Sequence, residues 1–140
     1  MTEKSGQCLC GAVKFTATLK NGDVGVCHCS TCRRGTAGSY FAIDCGDTLK
    51  FENEAALGVY NSSDWAERGF CKSCGSPIFW RTKDRKTNIV SVNAFDDVDA
   101  LRLDHEVFID EKPGYYSFSE KTQQMTGAQV FEMFANAQKD

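Results

Sequence analysis

The sequence has no long apolar run and no apolar leader. Hydrophobic residues make up 41% of its 140 residues, yet no stretch approaches the roughly 18 apolar residues that cross a membrane. The first residues, MTEKSGQC, are polar and mixed in charge, so nothing indicates export. These absences predict a soluble chain with no membrane partner, and a cytoplasmic location is the default expectation.

The sequence also lacks a concentration of positive charge. Sixteen Lys and Arg residues against nineteen Asp and Glu residues give a net charge of −3. The basic residues are scattered, apart from Arg33-Arg34 and the segment from Lys83 to Lys86. Nucleic-acid-binding surfaces instead gather basic residues on one face. We therefore expect no nucleic-acid partner.

The length and the apolar pattern predict one all-β domain spanning residues 1–140. Apolar residues recur at every second position, as at Val13, Phe15 and Ala17, and turn signals such as Asn21-Gly22 separate such segments. Strands are predicted near Gly11 to Leu19, Val24 to His28, Ser39 to Ile43, Leu49 to Glu52, Leu57 to Tyr60, Glu67 to Phe70, Pro77 to Arg81, Asn88 to Val92 and His105 to Ile109. This pattern favours small antiparallel sheets, with helix confined to the edges.

The clearest predicted helix lies at the C-terminus. Thr126 and Gln129 have the spacing of a capping box, in which each side chain bonds the other residue's backbone amide. An apolar stripe follows, formed by Val130, Phe131, Phe134 and Ala137. Such stripes usually face a core, so we expect this helix to pack on the domain.

Eight cysteines are the unusual feature of a chain expected in a reducing compartment. There, spaced cysteines more often bind metal than form disulfides. Seven of them form three clusters, at Cys8 to Cys10, Cys27 to Cys32 and Cys71 to Cys74, and Cys45 stands alone. A Cys-x-x-Cys-Gly turn converges two thiolates on one ion, while its glycine allows a left-handed backbone and nearby amides donate to the sulfurs.

The first and third clusters together supply four sulfurs. Cys71 and Cys74 are followed by a glycine, and Cys8 and Cys10 form a shorter Cys-x-Cys version of the same turn. Two such pairs complete a closed tetrahedral site. We assign Cys8, Cys10, Cys71 and Cys74 to a structural zinc ion, whose binding would add to the free energy of folding.

The middle cluster supplies three sulfurs, from Cys27, Cys29 and Cys32. Three ligands suit a second zinc ion with one coordination position left for chemistry, so the expected content is two zinc ions per chain, one structural and one catalytic. Such a soft site favours a thiol substrate. Arg33 and Arg34 directly follow the last ligand and are candidate partners for the carboxylates of an anionic thiol such as glutathione, although both could simply be solvated.

Several alternatives remain open for these residues. Disulfides and a redox role for the Cys71 and Cys74 dithiol are both less favoured than metal binding, and an iron-sulfur centre is less favoured still. Cys45 is either a small buried residue or a fourth ligand that closes the second site. His28 lies between two ligands, so strand alternation turns its side chain away from their sulfurs, towards a supporting role or a role as proton carrier.

Four segments resemble a known family: GQCLCGAVKF, CHCSTCRRGTAG, FCKSCGSPIFWR and HEVFIDEKPGYYSF. Together they are similar to the glutathione-dependent formaldehyde-activating enzyme family, which includes the domain of centromere protein V. The resemblance covers nearly the whole chain. It implies the zinc-binding complex β fold of that family, with short peripheral helices around the structural zinc.

The resemblance also implies an activity. Members similar to the named enzyme join formaldehyde and glutathione into S-(hydroxymethyl)glutathione, a reaction classed as a carbon-sulfur lyase by its reverse direction. Carried over, Cys27, Cys29 and Cys32 would hold the zinc that receives the glutathione sulfur, and the neighbouring cations would steady the alkoxide. The rival hypothesis is a noncatalytic zinc module that binds a thiol ligand or a protein partner.

Overall fold

The computed structural model describes residues 2–139, with the side chains as far as residue 136. The chain forms two compact units, each built from two separate segments. Unit 1 consists of Met1–Gly22 and Ala42–Leu101, and unit 2 consists of Asp23–Phe41 and Arg102–Asp140. The single-domain organisation stays a prediction.

Unit 1 is built of antiparallel strands. One sheet has the order β1-β2-β5, and a second run has the order β4-β9-β8-β7-β6. The strands are β1 (Thr2–Gln7), β2 (Lys14–Leu19), β4 (Tyr40–Asp44, of which residues 42–44 belong to this unit), β5 (Lys50–Phe51), β6 (Leu57–Tyr60), β7 (Ala66–Cys71), β8 (Pro77–Thr82) and β9 (Asn88–Ser91).

The core of unit 1 follows from the alternation in its strands. Phe15 and Ala17 of β2 are buried while Lys14 is exposed, so one face of the strand is apolar and packs inwards. The ring of Phe15 meets the ring of Phe95 edge to face, with centroids 5.4 Å apart. Phe95 also bridges Gly6 near the end of β1, so this packing lies beside the segment that leads to Cys8 and Cys10.

Unit 2 contains three parallel strands in the order β11-β10-β3. They are β3 (Asp23–Cys27), β10 (Arg102–Val107) and β11 (Gln123–Met125), and the helices of this unit are α1 (Ser30–Thr36) and α2 (Gly127–Lys139). Glu111 accepts from the backbone amide of Ser30, and Asp110 accepts from that of Gly127. One short 3-10 turn, Ile109–Glu111, therefore holds the first residues of both helices.

The all-β fold class is confirmed, and two details differ from the prediction. The strands of unit 2 pair in parallel, a direction that alternation along a single strand does not reveal. Helix α1, at Ser30–Thr36, was not predicted. The residues of β1, TEKSGQ, carry no apolar alternation, so this strand is recognised only by its pairing with β2.

The C-terminal helix is confirmed together with its capping box. Gln129 accepts from the amide of Thr126 at 2.7 Å, and Thr126 accepts from the amide of Gln129 at 3.2 Å. Val130 is buried as expected, but Phe131 is 56% exposed, so the predicted stripe is only partly covered. The Ala137 side chain lies outside the described residues. Within residues 2–139, no helix has the length and apolar character that a bilayer crossing requires.

Candidate metal centres and active site

Unit 1 brings together the four cysteines that the sequence assigns to a structural metal. Cys8 and Cys10 follow β1, Cys71 ends β7, and Cys74 lies in the turn before β8. Their four sulfurs all lie within 4.8 Å of one another. We call this group the four-sulfur cluster.

The sulfur separations fit a zinc ion. Cys10 Sγ lies 3.7 Å from Cys8 Sγ and 3.8 Å from Cys71 Sγ. A tetrahedron with zinc-sulfur bonds of about 2.3 Å has sulfur-sulfur edges of about 3.8 Å. A disulfide needs sulfurs about 2 Å apart, and none of the eight cysteines is in a disulfide. The residues present therefore fit a closed site of four thiolates.

The local backbone of this cluster has the form that the glycines indicate. Gly11 has φ +82° and Gly75 has φ +80°, the left-handed conformation in which other residues are strained. The resulting turns point amides at the sulfurs, since Val13 donates to Cys8 Sγ at 3.3 Å and Cys74 donates to Cys71 Sγ at 3.4 Å. Such donors stabilise thiolate over thiol.

The thiols of the four-sulfur cluster perturb one another strongly. The Ser76 hydroxyl, 3.2 Å from Cys74 Sγ, is the main group that lowers the pKa of Cys74, to about 5. The amide of Ala12 lowers the pKa of Cys10, but burial and the neighbouring thiols together raise it to about 11. Closely spaced thiolates repel one another, and a divalent cation among them removes that repulsion.

Unit 2 brings together Cys27, Cys29 and Cys32, which we call the three-sulfur cluster. Its sulfurs also lie within 4.8 Å of one another. Cys27 ends β3, and Cys29 caps α1, where its Sγ accepts from the amide of Cys32 at 3.4 Å. The sulfurs of Cys29 and Cys32, together with burial, raise the pKa of Cys27 well above its usual range. These residues fit one soft metal ion.

Among the described residues, no fourth His, Cys, Asp or Glu joins the three-sulfur cluster. Cys45 lies in unit 1, where it is fully buried with its Sγ 3.7 Å from the carbonyl oxygen of Ile43. Burial raises the pKa of Cys45 to about 12, so it is a neutral thiol. Of the two interpretations of Cys45, the small buried residue is the one that the structure supports.

His28 is turned to a hydrogen-bond network rather than to the sulfurs. Its side chain is fully buried, with Nε2 2.7 Å from Glu106 Oε1 and Nδ1 2.7 Å from the Tyr116 hydroxyl. Glu106 also accepts from the Thr122 hydroxyl and, at 3.4 Å, from Gln124. This network anchors the backbone between Cys27 and Cys29, which is the supporting role that strand alternation predicts.

Glu106 is charged in spite of its burial. Burial raises the pKa of its carboxyl, but hydrogen bonds from Thr122 and His28 outweigh burial and lower the pKa below its usual value. Neither Glu106 nor Tyr116 was predicted as a site residue. They lie 78 and 88 residues from His28 along the chain. The only sequence signal is that Glu106 is a charged residue directly followed by two apolar residues, Val107 and Phe108.

Arg33 and Arg34 lie in the last turn of α1, on the same helix as Cys32. Arg33 Nε donates to the backbone carbonyl of His28 at 2.9 Å and is half-buried, while Arg34 is exposed. Arg33 therefore also supports the cluster backbone. Arg34 has its guanidinium in solvent, where it can meet an anionic ligand.

Comparison with known proteins gives consistent matches. The model of the family described as "Glutathione-dependent formaldehyde-activating enzyme" matches residues 3–111, which include all eight cysteines. An uncharacterized lyase of Schizosaccharomyces pombe is 32% identical over 133 residues, covering 94% of this chain and 97% of the yeast protein. A crystal structure of a Rhodobacter sphaeroides protein is 28% identical with a TM-score of 0.57, covering 69% of this chain and 91% of that one.

Proposed function

We propose that this chain, which belongs to the glutathione-dependent formaldehyde-activating enzyme family, is a carbon-sulfur lyase acting on an adduct of glutathione with a small aldehyde. The family match and the similarity to a yeast lyase support a lyase. The observation that carries the proposal is the three-sulfur cluster itself. It offers three ligands and, within the described part of the chain, no fourth.

The two clusters have separate roles in this proposal. Cys8, Cys10, Cys71 and Cys74 would hold a structural zinc ion, because their separations fit a closed tetrahedron. Cys27, Cys29 and Cys32 would hold a catalytic one, with a coordination position left over. A zinc ion there would lower the pKa of a thiol that approaches it.

The forward reaction forms a carbon-sulfur bond and breaks the π bond of the aldehyde carbonyl. The thiol loses its proton, its sulfur electron pair attacks the aldehyde carbon, and the carbonyl π pair moves to oxygen, which takes up a proton. The reverse direction breaks the carbon-sulfur bond and returns the aldehyde and the thiol. No oxidant or reductant is consumed.

The protein's own residues bind and orient the substrate. Glutathione carries carboxylates at both ends, and the exposed guanidinium of Arg34 is placed to pair with one of them. Arg33 uses Nε for the His28 carbonyl and keeps its terminal nitrogens for a second anion or for the developing alkoxide. The buried pair of His28 and Glu106 keeps the three sulfurs in register during turnover.

The test is the rate of adduct exchange, measured by NMR in a mixture of glutathione and formaldehyde. Wild type is compared with Cys29→Ser, because serine keeps an oxygen that can cap α1 while removing the sulfur ligand. We expect exchange faster than in buffer with wild type, and the buffer rate with the variant. Equal rates in wild type and buffer would exclude the lyase. Glutathione binding that depends on Cys29 without any rate effect would support the noncatalytic module.

A further inference from the structure

A small cavity in unit 1 contains residues that the lyase proposal leaves unused. It measures about 210 Å³, whereas pockets for drug-sized ligands measure about 300 to 1,000 Å³. Its apolar wall is formed by Leu49 and Phe51, both half-buried. The size suits a ligand no larger than an amino acid.

Asn88 gives the cavity a buried acceptor. Its side chain is only 3% exposed, and its Nδ2 donates to the backbone carbonyls of Gly46 and Arg85 at 2.8 and 3.0 Å. These two bonds fix the orientation of the amide. Asn88 Oδ1 is buried and has no hydrogen-bond partner among the described residues. A buried acceptor without a partner is costly, so this position favours a ligand that carries a donor.

Arg81, which pairs with Asn88 across β8 and β9, gives the cavity a buried cation. It is 4% exposed, and its Nε donates to Glu67 Oε2 at 2.8 Å. Its Nη2 forms an ion pair with the same oxygen at 2.7 Å, and the guanidinium carbon lies 4.3 Å from the centroid of the Phe79 ring. Since a guanidinium has five N–H donors, Arg81 retains donors for an anionic group.

The exposed lining of the cavity carries both signs of charge, with Arg85 on the basic side and Asp47 and Glu54 on the acidic side. A simple anion would face these carboxylates, and a metal cation would face two guanidinium groups. A ligand with both charges satisfies both sets. An α-amino acid has that chemistry, with an ammonium that donates and a carboxylate that accepts.

We propose that this cavity binds the zwitterionic end of an α-amino acid. The carboxylate pairs with Arg81 and Arg85, the ammonium donates to Asn88 Oδ1, and the side chain lies along Leu49 and Phe51. Two sources have this chemistry: a free apolar amino acid and the γ-glutamyl end of glutathione. The proposal is separate from the lyase reaction and does not depend on it.

Binding is tested by an NMR titration of the zinc-loaded full chain, without aldehyde. The probes are L-leucine and S-methylglutathione, whose blocked sulfur cannot act as a thiol. We expect saturable shifts of the Asn88 side-chain amide with at least one probe, and the responding probe identifies the source. L-leucinamide and N-acetyl-L-leucine each lack one charge and should bind at least about tenfold more weakly than leucine, if leucine binds. No saturable shift with either probe, or equal binding of the blocked analogues, would overturn the proposal.

Variants locate the site. Arg85→Gln removes an exposed charge of the lining and should weaken probe binding at least about threefold, whereas Lys83→Gln, in the same turn but outside the lining, should not. Asn88→Ala should weaken binding at least about tenfold. Should Asn88→Ala fail to fold, the comparison of Arg85→Gln with Lys83→Gln still tests whether the probe binds in this cavity. Equal affinity in those two variants contradicts the assignment.

Discussion

The two cysteine clusters differ in how the chain supplies them. The four-sulfur cluster brings Cys8 and Cys10 together with Cys71 and Cys74, more than sixty residues away, so a metal ion bound there would cross-link distant parts of unit 1. The three-sulfur cluster comes from Cys27, Cys29 and Cys32 at one strand-helix junction in unit 2. A cross-link stabilises the fold, whereas a local cluster can leave a coordination position open without loosening distant elements.

The two clusters also differ in their support. Backbone amides and a serine hydroxyl surround the sulfurs of the four-sulfur cluster. The three-sulfur cluster has one helix cap and, behind it, the buried hydrogen bonds of His28 and Glu106. The donors around the four-sulfur cluster come from turns formed by residues close in sequence. The hydrogen bonds behind the three-sulfur cluster form only when strands that are far apart in sequence pair.

Breaking the cross-link is expected to have the largest effect. Cys71→Ser removes a fully buried sulfur from the four-sulfur cluster. Structural zinc binding contributes about 10 to 16 kcal/mol, as much as the whole stability of a typical domain, about 5 to 15 kcal/mol. We expect Cys71→Ser to be largely unfolded, as measured by circular dichroism and thermal unfolding.

A matched control is Cys45→Ala, which removes a buried sulfur outside both clusters. It should remain folded with a loss of about 1 kcal/mol and an unchanged metal content. If Cys71→Ser is as stable as Cys45→Ala, the cross-link has no structural role.

Removing one ligand of the three-sulfur cluster should release its metal ion without unfolding the chain. Native mass spectrometry is expected to find two zinc ions per wild-type chain and one in Cys29→Ser, with a smaller loss of stability than in Cys71→Ser, because three ligands bind an ion less tightly than four and the serine oxygen still caps α1. One zinc ion in both proteins would show that the three-sulfur cluster does not retain metal. Equal destabilisation by Cys29→Ser and Cys71→Ser would remove the contrast between the clusters.

The buried support of the three-sulfur cluster can be tested by pH. The pKa of Glu106 is lowered on folding, so its carboxylate stabilises the fold above its unfolded pKa, and that contribution is lost as the pH falls through the folded pKa. Glu106→Gln should cost about 2 kcal/mol at neutral pH. The difference between wild type and Glu106→Gln should shrink in acid.

Urea unfolding of both proteins, at neutral pH and below the usual carboxyl range, measures this difference. Thr122→Val keeps the carboxylate and removes one of its donors, so it should cost less than Glu106→Gln. A penalty for Glu106→Gln that is independent of pH would show that the charge of Glu106 is not what supports the cluster.

The smallest effect is expected at the surface of α1. Arg34→Gln should raise the KM for glutathione about three- to tenfold and leave kcat unchanged, because an exposed ion pair contributes about 1 kcal/mol and acts on binding alone. Lys121→Gln, an exposed charge of the same unit, should change neither constant. Steady-state kinetics at two salt concentrations check this, since screening should reduce the effect.

Local patterns were enough for both sulfur clusters and most strands. The strand at Leu57–Tyr60 has the predicted bounds, and the glycines at positions 11 and 75 adopt the left-handed backbone that the turns require. Each of these features depends on a few neighbouring residues. Their physical causes, alternation and turn geometry, are readable along the chain.

Features that depend on distant partners were missed. Helix α1 contains a glycine and two threonines, poor helix formers, and begins where Cys29 caps it. Phe131 continues a helical stripe yet is exposed, because periodicity does not tell which part of a face will be covered. Glu106 and Tyr116 reach His28 only after β10 pairs with β3, a contact that no local pattern indicates.

The division of each unit into two segments has a consequence for synthesis on the ribosome. All four cysteines of the four-sulfur cluster have been translated once Cys74 has emerged, so its ligands can meet while the chain is still growing. The three sulfurs of unit 2 emerge earlier, but β10 and Tyr116 emerge later. A nascent chain can therefore complete the ligand set of the four-sulfur cluster before the residues that support the three-sulfur cluster have been synthesised.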